Sequence, residues 1–273
     1  MLRSELKLSD FRKKLEDLYV SYNRRCYVHP DPLEFLYVFD DPQDREIVAL
    51  IASSLAYGRV EQILRSISEA LRRMDVSPRL YLSHSTFETI QSDFADFKHR
   101  FTSAKDFSML LWSLRNMIRN YGSLHACFMS GYRNNDENIL PALSLFVEKL
   151  LKDLPFAWSG FLPSPARGSA CKRLNLFLRW LIREDEVDPG GWDGISSSKL
   201  IVPLDTHMHR ISLMLGLTKR KQADLRTTLE ITEAFRSLSP EDPVRYDFAL
   251  TRFGIRNDMD EAHLAAICGK QQV

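Results

Sequence analysis

The chain has 273 residues, which is more than most single domains need and fewer than three would fill. Apolar residues make up 44% and charged residues 27%, proportions that exclude a disordered or fibrous protein. Lysine and arginine total 37 against 36 aspartates and glutamates, a net charge of +1. This balance excludes a uniformly basic nucleic-acid coat but leaves open one basic face opposite an acidic one.

Glycine (11) and proline (12) are too scarce for a turn-rich β-sandwich or barrel. The cysteines form no Cys-x-x-Cys pair, so neither a structural zinc, an iron–sulfur cluster nor any other cofactor is expected. The first 20 residues are charged throughout, unlike a signal peptide, and no apolar run reaches the ~18 residues of a membrane span. We expect a soluble protein of a reducing compartment. The cysteines are Cys26, Cys127, Cys171 and Cys268.

Apolar residues recur at helical spacing along most of the chain, and no set of strands is evident, so the predicted class is all-α. One helix should begin with Asp41 as its N-cap and Pro42 at its first position, and it should end before Tyr57-Gly58-Arg59. Ser169 should cap a later helix. Residues 153–168 should form a loop or hairpin. The acidic stretch 184–193, which contains Trp192, either borders a pocket or connects two helices, and we favour the connection. The predicted helices cover 5–25, 42–55, 60–71, 107–121, 143–151, 169–183, 206–215, 222–238 and a last one opened by Asp242-Pro243.

Lys172 is the first candidate catalytic residue. It is expected two or three residues inside the helix 169–183, whose later positions are strongly apolar. A positive helix end and partial burial both disfavour an ammonium, so we expect the pKa of Lys172 to fall below its usual value of about 10.4. A neutral lysine is a nucleophile suited to Schiff-base chemistry. The alternative is a lysine that lays its stem along the apolar face and keeps its ammonium in water.

The segment Pro-Leu-Asp-Thr-His-Met-His-Arg, residues 203–210, contains the second candidate. Asp205 should cap a helix and, as a functional residue, should direct its carboxylate at developing positive charge. His207 and His209 suggest a metal pair, but residues two apart on a helix point to different faces, and no carboxylate cluster accompanies them. No metal site is therefore expected here.

Residues 203–217, with the segment LPSPARGSACKRLN upstream (162–175), resemble the catalytic region of helix–hairpin–helix DNA glycosylases. In that superfamily a hairpin precedes a lysine-bearing helix, and a Pro-Val-Asp-like stretch carries the catalytic aspartate. The 33 positions between Lys172 and Asp205 (205 − 172) resemble the archaeal 8-oxoguanine glycosylase branch more than the endonuclease III branch. The resemblance covers roughly residues 43–260. The chain is also similar to an uncharacterised bacterial family with CKRLN-x-FLRW, PLD-x-H and PVRYDFAL blocks.

The chain departs from that superfamily at its hairpin. The usual Gly-x-Gly, whose amides hold a phosphate, is replaced by Ser-Pro-Ala-Arg-Gly, in which Gly168 is the only glycine. Phosphate binding there is therefore either lost or shared with Arg167 and Ser169. The C-terminal four-cysteine cluster of the endonuclease III branch is absent from the sequence, and no base-reading pocket can be carried over.

The resemblance implies a two-lobed all-α fold with a cleft: one lobe of about 43–165 and a second of 1–42 plus 166–273, within a single compound domain. It implies a DNA glycosylase and AP lyase for an oxidised base such as 8-oxoguanine, in which Asp205 stabilises an oxocarbenium-like sugar and Lys172 attacks C1′. His207 would contact a phosphate, and Tyr57 or Arg59 would fill the space of the flipped base. A phosphate track would use further basic residues: Arg173, Arg179, Arg183, Arg210, Lys219, Arg220 and Lys221. For residues 219–221 we favour an ordinary solvated face.

Two other functions remain open. A non-catalytic nucleic-acid-binding or scaffold protein would keep the fold, as the altered hairpin and small net charge suggest. A metal hydrolase would need His207 and His209 to hold a metal. The expected partner is DNA, as damaged duplex or single strand, and no membrane. We expect a monomer in the cytoplasm, at most associated with the nucleoid.

Overall fold

The computed structural model describes residues 2–75, 77–152, 154 and 162–269, with side chains from residue 9 onward. Helices make up most of this part of the chain, as the apolar spacing predicts. The α-helices are α1 Leu2–Tyr22, α2 Pro42–Ser54, α3 Val60–Arg73, α4 Pro78–His84, α5 Phe87–Asp93, α6 Ala104–Tyr121, α7 Leu124–Met129, α8 Leu140–Leu150, α9 Lys172–Ile182, α10 Thr206–Met214, α11 Leu225–Leu238, α12 Asp247–Ile255 and α13 Glu261–Cys268. Short 3₁₀ segments lie at Arg25–Tyr27, Pro32–Val38, Pro165–Arg167 and Ser197–Lys199.

The centre of the fold is α2. Asp41 caps it by accepting a hydrogen bond from the Gln43 amide (2.7 Å), and Pro42 stands at its first position, both as predicted. Residues 46–54 of α2 are all buried, because the helix packs on α9 at one side and on the 3₁₀ segment 32–38 at another. Its last residue, Ser54, thereby lies beside the start of α9.

Two other sets of helices surround this pair. The long α6 packs against α4, α5 and α7, and α7 in turn packs on α8. On the other side α12 contacts α1, α10 and α13. In α1 the apolar side chains of Phe11, Leu15 and Leu18, which recur at helical spacing, are buried. The packing of α10 on α12 brings the C-terminal helices to the same region as α9.

Three local predictions are wrong. The helix predicted over 169–183 begins at Lys172, and the Ser169 hydroxyl accepts the Cys171 amide (3.2 Å) in the turn before it, so Ser169 is not its cap. The last predicted helix starts at Asp247 rather than at Asp242-Pro243, since residues 242–245 form tight turns first. The helices α4, α5, α7 and α13 were not predicted, because each is short and its apolar pattern spans too few turns.

In the described residues the backbone forms only two isolated β-bridges, His99 with Thr102 and Glu184 with Pro189. The fold is all-α. Half of the predicted loop or hairpin over 153–168, residues 153 and 155–161, lies outside the described part. Residues 165–167 form a 3₁₀ turn that ends at Gly168. No described helix combines the length and apolar character needed to cross a bilayer.

Candidate active site

The two candidate catalytic residues meet. The Lys172 Nζ atom lies 3.3 Å from Asp205 Oδ2, although 33 positions separate the residues in sequence. The lysine side chain is 32% exposed and the aspartate 15%, so the pair is partly sheltered but open on one side. An ion pair in such a place can still be reached by a ligand.

The position of Asp205 follows from its role as a helix cap. Buried Leu204 leads the chain into α10, and the Asp205 Oδ1 atom accepts the Met208 amide at 2.7 Å. Side-chain caps of this kind fix the rotamer of an aspartate. Because Oδ1 is held by the helix, Oδ2 is the oxygen turned to Lys172.

A sharp backbone turn positions Lys172. Cys171 immediately precedes α9 and adopts a left-handed conformation (φ +47°), which costs a non-glycine residue energy. Lys172 is therefore the first residue of α9, not two or three residues inside it as predicted. The buried Cys171 thiol contacts the Pro163 carbonyl (3.6 Å), and burial raises its pKa to about 11, so this cysteine is a structural residue rather than a nucleophile.

A cavity of about 940 Å³ opens at this pair. Its walls come from residues 30–32, the turn between α2 and α3 with the start of α3, the turn before α9 with α9 itself, the start of α10, residues 223–224 before α11, and α12. A cavity of this size accommodates a small organic ligand or a nucleotide. Seven predicted site residues line it: Tyr57, Gly168, Ser169, Lys172, Arg173, Asp205 and His207. The predicted residues Arg59 and Arg210 are not part of its wall.

His207 is held at the cavity by close packing. A Cβ added at Gly254 of α12 would lie 2.5 Å from His207 Nδ1, so the imidazole packs directly against this glycine. The same nitrogen lies 3.4 Å from Arg210 Nη2, and Arg210, exposed outside the cavity, donates to Glu261. The ring of His207 therefore has one defined place.

His209 faces elsewhere: its Nε2 atom contacts the Arg220 carbonyl (2.8 Å). No group of three or more histidine, cysteine, aspartate or glutamate side chains stands together as a metal site in the part of the chain that is described. The geometry does not support the metal-hydrolase alternative, because His207 and His209 have separate surroundings.

The turn before α9 offers few backbone donors to a phosphate. The amide of Arg167 donates to the Ser164 carbonyl (3.1 Å) and that of Gly168 to Pro165 (2.9 Å). Gly168 has φ +73°, which explains the one glycine kept in this turn. These two amides are satisfied within the turn itself, unlike the phosphate-binding amides of the resembling hairpins.

Tyr57 does not have the freedom that a wedge needs. Its hydroxyl donates to the His99 carbonyl (2.9 Å) and contacts the Thr102 hydroxyl (2.5 Å), and its ring packs edge-on against His99. Arg59 is exposed at the start of α3. The adjoining turn presents Phe101, whose side chain is 85% exposed, and sequence reasoning missed this residue.

Arg173 also lies at this junction. Its Nη1 atom donates to the Ser54 carbonyl at the end of α2 (2.8 Å), and its guanidinium lies 5.3 Å from the Tyr57 ring centroid. Burial lowers the pKa of Arg173. The side chain thus joins α9 to α2, next to the cavity.

The phosphate track predicted along α9 is wrong for two of its members. Arg179 and Arg183 are 3% and 4% exposed and lie inside a buried ionic cluster, so neither lies on an exposed track for backbone phosphates, although Arg179 also borders the cavity. Arg179 donates to Asp188 (3.2 Å) and contacts Asp247, and Arg183 donates to Asp242 (2.9 Å). Several carboxylates from distant segments neutralise them: Asp185, Asp188, Asp242 and Asp247.

Sequence reasoning also missed the far wall of the cavity, which α12 supplies. Asp247, Thr251 and Arg252 line it, and all three are buried. Burial, with Asp205 nearby and against the opposing effect of Arg179, raises the pKa of Asp247 to about 6. Two charged residues inside the apolar stretch YDFALTRF (246–253) are the signal that could have identified this wall.

The acidic loop is a connector, as favoured. Trp192 is 4% exposed, and its indole donates to the buried Glu46 carboxylate (3.0 Å) rather than lining the cavity. Glu46 also accepts the amides of Leu124 and His125, at 2.6 and 2.9 Å. This carboxylate therefore joins α2, α7 and the loop, and it fixes α2 behind the site.

Comparison with known proteins gives one result for the whole region. No curated protein and no solved structure matches the chain significantly. A family model described as a protein of unknown function, DUF2400, matches residues 31–256. This range includes every residue that lines the cavity except Pro30. The chain belongs to the DUF2400 family.

Proposed function

We propose that the chain is a DNA glycosylase with AP lyase activity, of the helix–hairpin–helix type, with the cavity as the cleft that receives an extruded base. The observation that carries this proposal is the 3.3 Å contact between Lys172 and Asp205 at the wall of a 940 Å³ cavity. An amine and a carboxylate at one ligand-accessible point are the groups that displacement at a sugar carbon requires. The resemblance in residues 162–217 supplies the reaction class.

The chemistry begins with proton transfer. The ammonium of Lys172 releases its proton to solvent at the open side of the pair, so that Asp205 stays ionised. The free amine then forms a bond to C1′ of the extruded nucleotide as the bond from C1′ to the base breaks. The base leaves with that electron pair and takes up a proton, so charge is conserved. Asp205 Oδ2, which lies beside Lys172, stabilises the positive charge that develops at C1′, while Oδ1 stays on the Met208 amide.

The second half of the reaction uses the same lysine. Opening of the sugar ring converts the amine adduct into a protonated Schiff base between Lys172 and C1′. Loss of a C2′ proton then expels the 3′ phosphate by β-elimination, which breaks the strand. Hydrolysis of the Schiff base returns the free amine to the site.

The surroundings of the pair suit a DNA ligand. His207 lines the cavity and packs against Gly254, and we assign to it the contact with a phosphate beside the extruded nucleotide. Arg100 and Phe101 lie on a turn that packs against Gly58, since a Cβ at Gly58 would come within 2.4 Å of Arg100 Cδ. An exposed aromatic ring on a basic turn next to the cavity is suited to stack in the gap left by the base. We assign that role to Phe101 in place of Tyr57.

Strand cleavage and base release test the proposal. Duplexes carrying single oxidised bases are incubated with the wild-type protein and the variants Lys172→Gln and Asp205→Asn. The matched control is Lys199→Gln, because Lys199 contacts the Asp136 carbonyl and does not line the cavity. We expect cleavage by the wild type and the control, and a loss of at least 100-fold in both site variants.

Two results would overturn this function. One is a wild-type protein that leaves all oxidised bases and preformed abasic sites intact. With equal DNA binding by wild type, Lys172→Gln and Asp205→Asn, that result would leave a non-catalytic nucleic-acid-binding protein. The other is equal cleavage by the three proteins, which would place the chemistry on other residues.

A further inference from the structure

A basic surface borders the cavity where the turn before α9 meets the start of α11. The Gly168 carbonyl of that turn accepts the Leu225 amide at 3.3 Å. Arg167 precedes this contact in one segment and Arg226 follows it in the other, and both side chains are exposed. Gly168 and Asp224 line the cavity. The two arginines therefore lie on either side of a hydrogen bond at the edge of the cavity.

The segment between α10 and α11 is fixed by side-chain hydrogen bonds. His209 Nε2 donates to the Arg220 carbonyl (2.8 Å), which ties this segment to α10. The Nε atom of Arg220 donates to the Thr227 hydroxyl (2.9 Å) and its Nη2 atom to Asp224 (3.0 Å). Arg220 is therefore an internal anchor, whereas the next residue, Lys221, is exposed. A segment that is ordered in advance loses less conformational entropy on binding than a flexible one.

The positive charge of this surface is available to a ligand. Within the described part of the chain, no carboxylate forms an ion pair with Arg167, Lys221 or Arg226. The carboxylate of Asp224 is engaged by Arg220 (3.0 Å), so it does not neutralise them. Arginine binds phosphate through paired N–H donors, and each phosphate of a nucleic-acid strand carries a negative charge. Exposed cations at the edge of a cavity large enough for a nucleotide therefore fit a phosphodiester backbone.

We propose that Arg167, Lys221 and Arg226 form a basic clamp, which binds phosphates of the DNA strand that carries the extruded nucleotide. This inference rests on the proposed function. The amides of Arg167 and Gly168 are used within their own turn, at 3.1 and 2.9 Å, so side chains take the place of backbone amides in holding the strand. The clamp also gives a role to the basic run 219–221, for which the sequence favours a solvated face.

A clamp of cationic side chains and a set of backbone amides respond differently to salt. Each lysine or arginine that neutralises a phosphate releases counterions from the duplex, so the plot of log affinity against log salt becomes steeper by ~0.9 per contact. A backbone amide carries no net charge and releases no counterion in this way. The salt dependence of DNA binding therefore reports on the clamp directly.

The double variant Arg167→Gln, Arg226→Gln tests the clamp. Its affinity for a duplex with a stable abasic analogue is measured by fluorescence anisotropy over a series of salt concentrations. The slope should be less steep than that of the wild type by ~1.8, which amounts to ~60-fold weaker binding at about 0.1 M salt, and the two affinities should converge near about 1 M. The matched control is Arg119→Gln, Arg133→Gln, which removes the same charge from two exposed arginines outside the cavity wall and should leave the slope unchanged.

Lys221→Gln provides an independent measurement, also if the double variant does not fold, and should make the slope less steep by ~0.9. Equal slopes in the wild type and the clamp variants would overturn the inference, as would the same loss of slope in the control or a wild type that does not bind the duplex. A wild type that binds with the expected salt dependence but cleaves neither oxidised bases nor abasic sites would instead overturn the proposed function and leave the clamp as a DNA-binding surface.

Discussion

The substitution Gly254→Ala should move His207 without touching the catalytic pair. The new Cβ would lie 2.5 Å from His207 Nδ1 and 3.1 Å from Glu261 Oε1, whereas ordinary contacts start at 3.4 Å. The imidazole must therefore shift by about 0.9 Å. A shift of this size would lengthen a 2.9 Å hydrogen bond between His207 and a phosphate beyond the range of a hydrogen bond. Loss of a bond to a charged group, ~1.5–3 kcal/mol, lowers the affinity for DNA about 10- to 100-fold.

The fold itself should tolerate this change. Steric crowding by the new methyl group should lower the free energy of unfolding by about 1–3 kcal/mol. The higher helix propensity of alanine within α12 offsets about 1 kcal/mol of that loss. Binding is measured by fluorescence anisotropy on a duplex with a stable abasic analogue, in a double-mutant cycle with His207→Ala. Gly254→Ala should have no further effect once His207 is removed. An equal loss of affinity in both backgrounds would refute this reasoning.

Three further outcomes follow from the geometry. Asp205→Ala should lower the melting temperature by about 2–4 °C, because the side-chain cap of α10 contributes about 1 kcal/mol of stability. Asp205→Asn keeps the cap and should leave the melting temperature unchanged. Equal melting temperatures of the two variants would contradict the capping role. The pKa of buried Asp247 rises from 3.8 to about 6 on folding, so the stabilisation from its protonated form is full below pH 3.8 and is lost as the pH rises through 6. In denaturant titrations the free energy of unfolding of the wild type should fall by about 3 kcal/mol relative to Asp247→Asn over that pH window. Parallel pH profiles of the two proteins would exclude this raised pKa. Phe101→Ala should slow base excision about tenfold. The melting temperature should not change, because the Phe101 side chain is 85% exposed. The control is Leu80→Ala, at a residue that is 60% exposed and outside the cavity wall, and it should have no effect on excision.

The elements set by local physical chemistry could be predicted from the sequence. Asp41 and Asp205 both cap helices as expected, because a cap depends only on the next few residues. The helical class follows in the same way from apolar spacing. The start of α9 could not be predicted, because Cys171 adopts a left-handed conformation that no local preference of cysteine favours.

The contents of the cavity depend on contacts between distant segments. Arg179 of α9 is neutralised by Asp188 in the acidic loop and by Asp247 of α12, and neither pairing has a signature in the sequence. An arginine on a helix was therefore interpreted as a surface group for phosphate. Similarly, Lys172 and Asp205 were singled out by resemblance and by residue type, whereas their 3.3 Å separation is a property of the fold alone.

Covalent trapping tests the central claim most directly. The protein is incubated with a duplex containing a preformed abasic site in the presence of borohydride, which reduces a Schiff base to a stable amine. The crosslinked protein is then digested and the modified residue located by mass spectrometry. We expect one adduct, on Lys172, and none in Lys172→Gln. An adduct on another lysine, or none in the wild type, would contradict the assignment of this amine as the nucleophile.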